Sequence, residues 1–287
     1  MKYRLFLIAA AFFLLLPLSS VFSQGTTLED DPLNPRAKPT PVYIGPVVGY
    51  NRTFHTYNDA LPTFSNDILC PKFPNSTANG FYAGGSFEYL LGDLARSNSS
   101  IIARVLYNTM PMNTTQLELS ALPSLVEDPT DPLKYSKVDS RTRHDFEVNY
   151  QMVTAEVIYK LNLFETNLGV TIGPTFDIPI VKKSYQTYKL IEPDNVQFIE
   201  KPDVKYSADK RTIIVQDATI TNSSGFRFGV KAGIQYEFIT SKRMYIVPNI
   251  NYNFAVTKVT NDLDWRINAL QIGVDVRFAI SAVTLGL

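Results

Sequence analysis

Along residues 226–238, FRFGVKAGIQYEF, large apolar side chains and polar or absent ones alternate at every step. A period of two puts Phe226, Phe228, Val230, Ala232, Ile234, Tyr236 and Phe238 on one face of a strand, and Arg227, Lys231, Gln235 and Glu237 on the other. The same alternation returns in FYAGGSFEYLL, IIARVLYN, QMVTAEVIYKL, LGVTIGPTFDIPI, YIVPNINYNFAV and LQIGVDVRFAI, and less cleanly in VYIGPVVGYN. It predicts eight strands, at roughly 41–54, 80–92, 99–109, 145–162, 167–182, 224–239, 243–258 and 265–280. No helical period competes within these segments.

The links between strands alternate in length. GDLARSN, NLFETN and TSKR are tight turns, whereas 55–79, 110–144 and 183–223 are long, polar and rich in Pro, Asn, Thr and Asp; VTNDLD at 259–264 is shorter. In an up-and-down barrel this order puts every tight turn at one end and every longer loop at the other, the asymmetry of transmembrane barrels. Within the third long loop, TYKLIEP, VQFIEKP and RTIIVQDATI alternate enough to carry strands beyond a membrane. The polar face of each strand is also the small face, repeatedly Gly, Ser or Thr. An eight-stranded interior is barely wide enough for side chains, so small residues and charges belong inside and the Phe, Tyr, Ile and Val face belongs outside, against lipid. The expected fold is therefore all-β: an eight-stranded antiparallel up-and-down transmembrane β-barrel over residues 40–287. A soluble barrel of the lipocalin kind is the alternative. Tyr89, Tyr159, Tyr236 and Phe238 at the turn side, and Tyr50, Phe146 and Phe226 at the loop side, fit two aromatic girdles.

Strand parity also gives the inward charges: Glu88, Glu156, Asp177, Glu237 and Asp275 against Arg104, Lys160, Arg227, Lys231 and Arg277. A charge in a narrow lumen is tolerable only when paired and hydrogen-bonded. A balanced set implies a salt-bridged plug, where an ion-selective pore would more often carry a ring of one sign.

The N-terminus, MKYRLFLIAAAFFLLLPLSSVFSQ, has a basic start, an apolar core from Leu5 to Leu16, and Val21 and Ser23 at signal-peptidase spacing. It predicts a signal peptide over 1–23, cleaved after Ser23, then a Pro-rich periplasmic linker over 24–39. With 27 Lys and Arg against 27 Asp and Glu, the net charge of zero gives no field for nucleic acid. The one cysteine, Cys70, forms no internal disulfide and has no Cys or His at ligand spacing.

Strand repeats such as YIGPVVGYN, FYAGGSFEYLL and LGVTIGPTFDIPI, with a leader and alternating short and long links, resemble the small outer-membrane β-barrels of the PorT-like and OmpA-like kind. The resemblance implies outer-membrane localisation and, as partners, outer-membrane lipid, the barrel-assembly machinery and an extracellular or envelope protein met through the loops, with the barrel a monomer. It implies a non-enzymatic role in binding or adhesion, envelope structure or support of a secretion apparatus. Two alternatives are a narrow channel for small solutes and a lipid-modifying barrel enzyme. For the latter, His55, His144, Asp145, Ser65 and Ser140 supply raw material, but no nucleophile elbow accompanies them. No residue is assigned a catalytic, cofactor-binding or metal-ligating role.

Overall fold

The computed structural model describes residues 40–57, 73–92, 97–118, 123–128, 131–163, 166–194, 196–199, 202, 204–241 and 243–280. The predicted leader and linker, Ser65, Cys70 and the last seven residues lie outside them. Fourteen strands and no helix occur among the described residues: β1 (Val42–Tyr57), β2 (Ser76–Leu91), β3 (Ser99–Thr109), β4 (Met112–Glu118), β5 (Pro123–Asp128), β6 (Asp131–Asp139), β7 (Arg141–Asn162), β8 (Leu168–Glu192), β9 (Lys205–Tyr206), β10 (Thr212–Thr219), β11 (Arg227–Tyr236), β12 (Phe238–Ser241), β13 (Met244–Ala255) and β14 (Trp265–Ala279).

Twelve of these strands form one antiparallel sheet, and β5 with β6 makes a separate hairpin. From β1 the pairing runs through β2, β3, β7, β8, β11, β13 and β14, and then β14 pairs β1 again. A ladder that returns to its first strand leaves no edge of unpaired backbone groups within the ring. The eight predicted segments supply its members.

Two of the long links are not loops. β8 runs ten residues past its predicted end at 182, and β7, which starts four residues before its predicted 145, stays paired with it up to Arg141↔Glu192. β4 adds to the free side of β7, and β10 to that of β8, with β9 beyond it. The ring thus carries a taller crown in the order β4, β7, β8, β10, β9. At 25 residues, β8 is about 80 Å long at roughly 3.3 Å per residue, far more than the ~9–11 residues a tilted membrane strand needs. TYKLIE and RTIIVQDAT both extend strands here, as their alternation predicts, with Thr187, Tyr188 and Lys189 opposite Ile214, Ile213 and Thr212. In VQFIEKP, by contrast, Val196 and Phe198 pack as buried side chains with Leu190, against Tyr188, Tyr206 and Ile213.

Arg211 ties this corner together. Its guanidinium donates to the carbonyls of Leu190 (3.0 Å), Ile191 (3.2 Å), Pro193 (3.0 Å), Asp194 and Val196 (3.0 Å). A planar fork with five donors suits such a cluster of acceptors, and these are the carbonyls a turn at the tip of β8 would otherwise leave unpaired.

Burial follows the alternation through the ring. The even-numbered residues of β7 from Phe146 to Lys160 are buried, and their odd-numbered neighbours are not. Phe146 therefore does not belong to the outer aromatic girdle where its position near a strand end placed it. It points inward, 1% exposed, stacked on Phe73 with ring centroids 5.2 Å apart. Tyr50, Phe226, Tyr236, Phe238 and Tyr159 do face outward.

Candidate functional site

The interior of the ring is filled in layers. At the end with the short turns, Tyr43 and Tyr245 meet edge to face at 5.3 Å and pack with Leu90 and Val247. Above them lies a continuous run of ion pairs. Glu237 pairs Lys160, whose Nζ lies 2.6 Å from Glu88. Glu88 accepts from Arg277 at 2.6 Å, and Arg277 reaches Asp275 at 2.9 Å. Asp275 also accepts from Arg104 at 2.7 Å, Arg104 lies 3.6 Å from Glu156, and Glu156 pairs Lys231. Acid and base alternate at every link, and none of these residues is more than 3% exposed. Their cross-lumen character is clear from the strands they join. Arg104 on β3 reaches β14, and Lys231 on β11 reaches across β8 to β7. Burying such charges costs several kcal/mol each unless pairing and hydrogen bonds compensate, and here each carboxylate is bracketed by two cations or by a cation and its hydrogen-bond donors.

Asp177 and Arg227 were expected in the same set. They are direct neighbours across β8 and β11 and are buried, but no ion pair joins them. Asp177 accepts from the Thr154 hydroxyl at 2.7 Å, while Arg227 donates to the Ile267 carbonyl at 3.2 Å and lies 5.7 Å from the Tyr150 ring centroid.

Next comes a layer of amides and hydroxyls, which are not charged but lie on the same strand faces. Gln271 donates to Asn51 (2.7 Å), Asn108 to Thr154 (2.7 Å), Asn251 to Asn249 (2.8 Å) and Asn249 to Asp275 (3.0 Å). The signal was present: these residues share the parity of the charges, as NINYNF shows most plainly. The inward ring of Tyr82 fits because its neighbours are glycines. A Cβ on Gly49 would sit 2.3 Å from Tyr82 Cζ, and one on Gly273 2.1 Å from its hydroxyl.

An apolar cap closes the crown end: Phe73, Met110, Met112, Phe146, Tyr150 and Trp265 are among its buried members. Here Trp265 Nε1–H donates to His55 Nδ1 (3.1 Å), and His55 Nε2 lies 2.9 Å from the Pro111 carbonyl, to which it donates. The imidazole is thus held neutral with its proton on Nε2. It lies just past the level where outward residues turn polar, at Arg52, Arg266 and Asn268. Burial, against the hydrogen bond to Pro111 and with the nearby Arg227 charge adding to it, pushes its pKa down to about 3. The unfolded chain would take up that proton near pH ~6.5. Stability contributed by the neutral imidazole is therefore present above that pH and is lost as pH falls toward the folded value. A pH series of urea unfolding should show a slope of up to about 1.4 kcal/mol per pH unit below pH ~6, and His55→Gln should flatten it; an unchanged slope removes His55 from the account.

The other candidate chemistry does not assemble. His144 and Asp145 are consecutive on β7 and point to opposite faces. His144 stacks on Tyr188 at 4.3 Å, and Asp145 takes Lys189 at 2.9 Å and Arg143 at 3.0 Å. Among the described residues no group of three or more His, Cys, Asp or Glu is placed to hold a metal ion. On the outer face of the crown, Asn113, Glu147, Asn149, Lys183, Tyr185 and Asp217 rim a depression of about 500 Å³ between β4, β7, β8 and β10.

No family model matches the chain, and no curated protein matches it. Solved structures do. Neisserial surface protein A is 13% identical, covers 83% of this chain with 98% of its own, and gives a TM-score of 0.35. Ail, the attachment invasion locus protein of Yersinia pestis, solved with the heparin analogue sucrose octasulfate, is 12% identical over 83% of this chain and 100% of its own, with a TM-score of 0.31. A Pseudomonas aeruginosa FadL homologue is 10% identical over 83% and 90%, with a TM-score of 0.24. At such TM-scores none of these likenesses bears on what this chain does.

Proposed function

We propose that the chain is an eight-stranded, up-and-down outer-membrane β-barrel with a plugged lumen, and that its work is non-enzymatic binding through the crown. The observation that carries this is the inversion of the usual protein. Charges from Glu88 to Arg277 are sealed inside, while Val48 (60%), Ile172 (56%), Phe238 (54%) and Phe254 (52%) stand exposed around the ring. In water so large an apolar belt is an aggregation surface. In hydrocarbon it is the required one, and a closed ladder meets the rule that no backbone group be left unpaired there.

The same layers disfavour the channel reading. The ion-pair run crosses the lumen, and apolar clusters close it at both ends. Reconstituted in planar bilayers, the protein should give no steady conductance steps; steady, large openings would favour the narrow-channel alternative instead.

With the lumen filled, the free surface is the crown, where β7 and β8 carry backbone and polar side chains beyond lipid. Its depression on the outer face offers Glu147 and Asp217 beside Lys183 and Tyr185, a mixed polar surface suited to a protein partner of the envelope or exterior. In this reading the leader is removed after Ser23, assembly machinery inserts the ring, and lipid is its constant neighbour.

A further inference from the structure

The lipid-facing side of β1 and β2 holds two features that the plugged-barrel reading leaves unused. At its upper end Arg52 faces outward and donates to Asn79 Oδ1 and to Thr77 Oγ1 at 2.6 Å, and Tyr50 also donates to Asn79 Oδ1, at 2.6 Å. Among the described residues no carboxylate pairs this arginine. It is oriented by neutral acceptors, and its Nε–H and remaining N–H groups stay available in a fixed fork. Arg266, by comparison, is paired with Asp264. The second feature is a notch of about 530 Å³ in the apolar face, walled by Ile44, Phe87 and Val105 and floored by Pro46, Gly85 and Ala103. Val105 is 62% exposed and stands as a ridge beside it.

Both features lie on one ladder. Arg52 is opposite Asn79, and Pro46 is opposite Gly85. Six residues along β1 are about 20 Å. With a strand tilt of ~40° this is roughly 15 Å of depth, half of the ~30 Å hydrocarbon core. A cation at the interface and a notch near the midplane are thus separated by about the length of one leaflet.

The geometry points to a specific site for one anionic membrane lipid, its phosphate on Arg52 and one acyl chain lying down β1–β2 into the notch at Gly85. The inference rests on the membrane-barrel reading above. Arginine matches a phosphate with paired N–H donors, and hydrogen bonds to a charged group are the stronger kind. The small floor residues let a chain approach the backbone, where a large side chain would keep it out.

Two single substitutions test it. Arg52→Gln removes the charge. Gly85→Leu fills the notch from outside, and its attachment point is unobstructed: a Cβ there meets only the Gly45 carbonyl, at 3.9 Å. Intact protein released from detergent would be titrated with phosphatidylglycerol, with phosphatidylcholine and with inorganic phosphate, and bound lipid counted by native mass spectrometry. The wild type should bind phosphatidylglycerol about tenfold more tightly than phosphatidylcholine. Arg52→Gln should abolish that preference, and Gly85→Leu should weaken both lipids severalfold while keeping it. Equal binding by wild type and both variants overturns the site, as does full displacement of the lipid by millimolar phosphate, which would reduce it to an anion contact. If the protein is monodisperse without detergent, the membrane reading itself fails. If it requires detergent and the lipid response is flat, only the lipid site is lost.

Discussion

Replacing Arg277 with leucine will destabilise the barrel by about 3–5 kcal/mol, a large share of the ~5–15 kcal/mol that separates a typical folded chain from its unfolded state. Arg277 contacts Glu88 at 2.6 Å and Asp275 at 2.9 Å, and lies 3.9 Å from Glu237. Removing it leaves these buried carboxylates with fewer cations than charges. The effect should appear as a lowered urea midpoint in lipid vesicles and a lower temperature for loss of the compact form in SDS gels. Lys258→Ala is the control. Its pair with Asp264, 3.5 Å apart, is half exposed, and a surface pair contributes ~0–1 kcal/mol. If Arg277→Leu costs no more than Lys258→Ala, the interior is wet enough to screen its charges and is not a plug.

On the proposed membrane reading, an arginine at Ile172, on the outward face of the ring, will cost up to about 2–4 kcal/mol, the penalty for a cation at the lipid-facing midplane of a barrel. The same change on the surface of a soluble protein stays within about ±0.5 kcal/mol. Exposure does not distinguish the two cases, so position must. Leu117 on β4 is 55% exposed, against 56% for Ile172, but it sits on the crown, which the proposed reading puts beyond lipid. Leu117→Arg should be nearly neutral. Matched urea titrations of the two variants in vesicles separate the solvents these two side chains meet, and equal effects would place both in water.

The ring was legible in the sequence because its information is local. Alternation at a period of two names both the strand and its faces, so the inward charges and their balance could be read from parity alone. Their connectivity could not. Whether Arg104 meets Asp275 or Glu156 depends on which strands face each other across the lumen and on stagger between them, which no single segment encodes. Asp177 and Arg227 illustrate the limit: they are register neighbours, yet Thr154 and the Ile267 carbonyl lie better placed for each. The His55–Trp265 contact likewise joins the first and last strands, and exists only once the ring closes. Phe146 shows a different failure. Its parity matches Glu156 and Lys160 and marks it as inward, but an aromatic near a strand end fits the girdle pattern equally well. In the crown, RTIIVQDAT was readable from its apolar alternation, whereas MNTTQLE in β4 has almost none. It becomes a strand because β7 runs past its pairing with β3, which ends at Gln151, and offers a free edge to pair with.

The most direct test of the account is to ask which solvent touches the bulky face. With Cys70 replaced by serine, single spin labels at Val230 and Val274, both on the outward parity of β11 and β14, would be compared in bilayers with one at Asn113 on the crown. The account predicts that the first two collide freely with dissolved oxygen and hardly at all with a water-soluble nickel chelate, and that Asn113 shows the reverse. Strong nickel accessibility at Val230 and Val274 would contradict it.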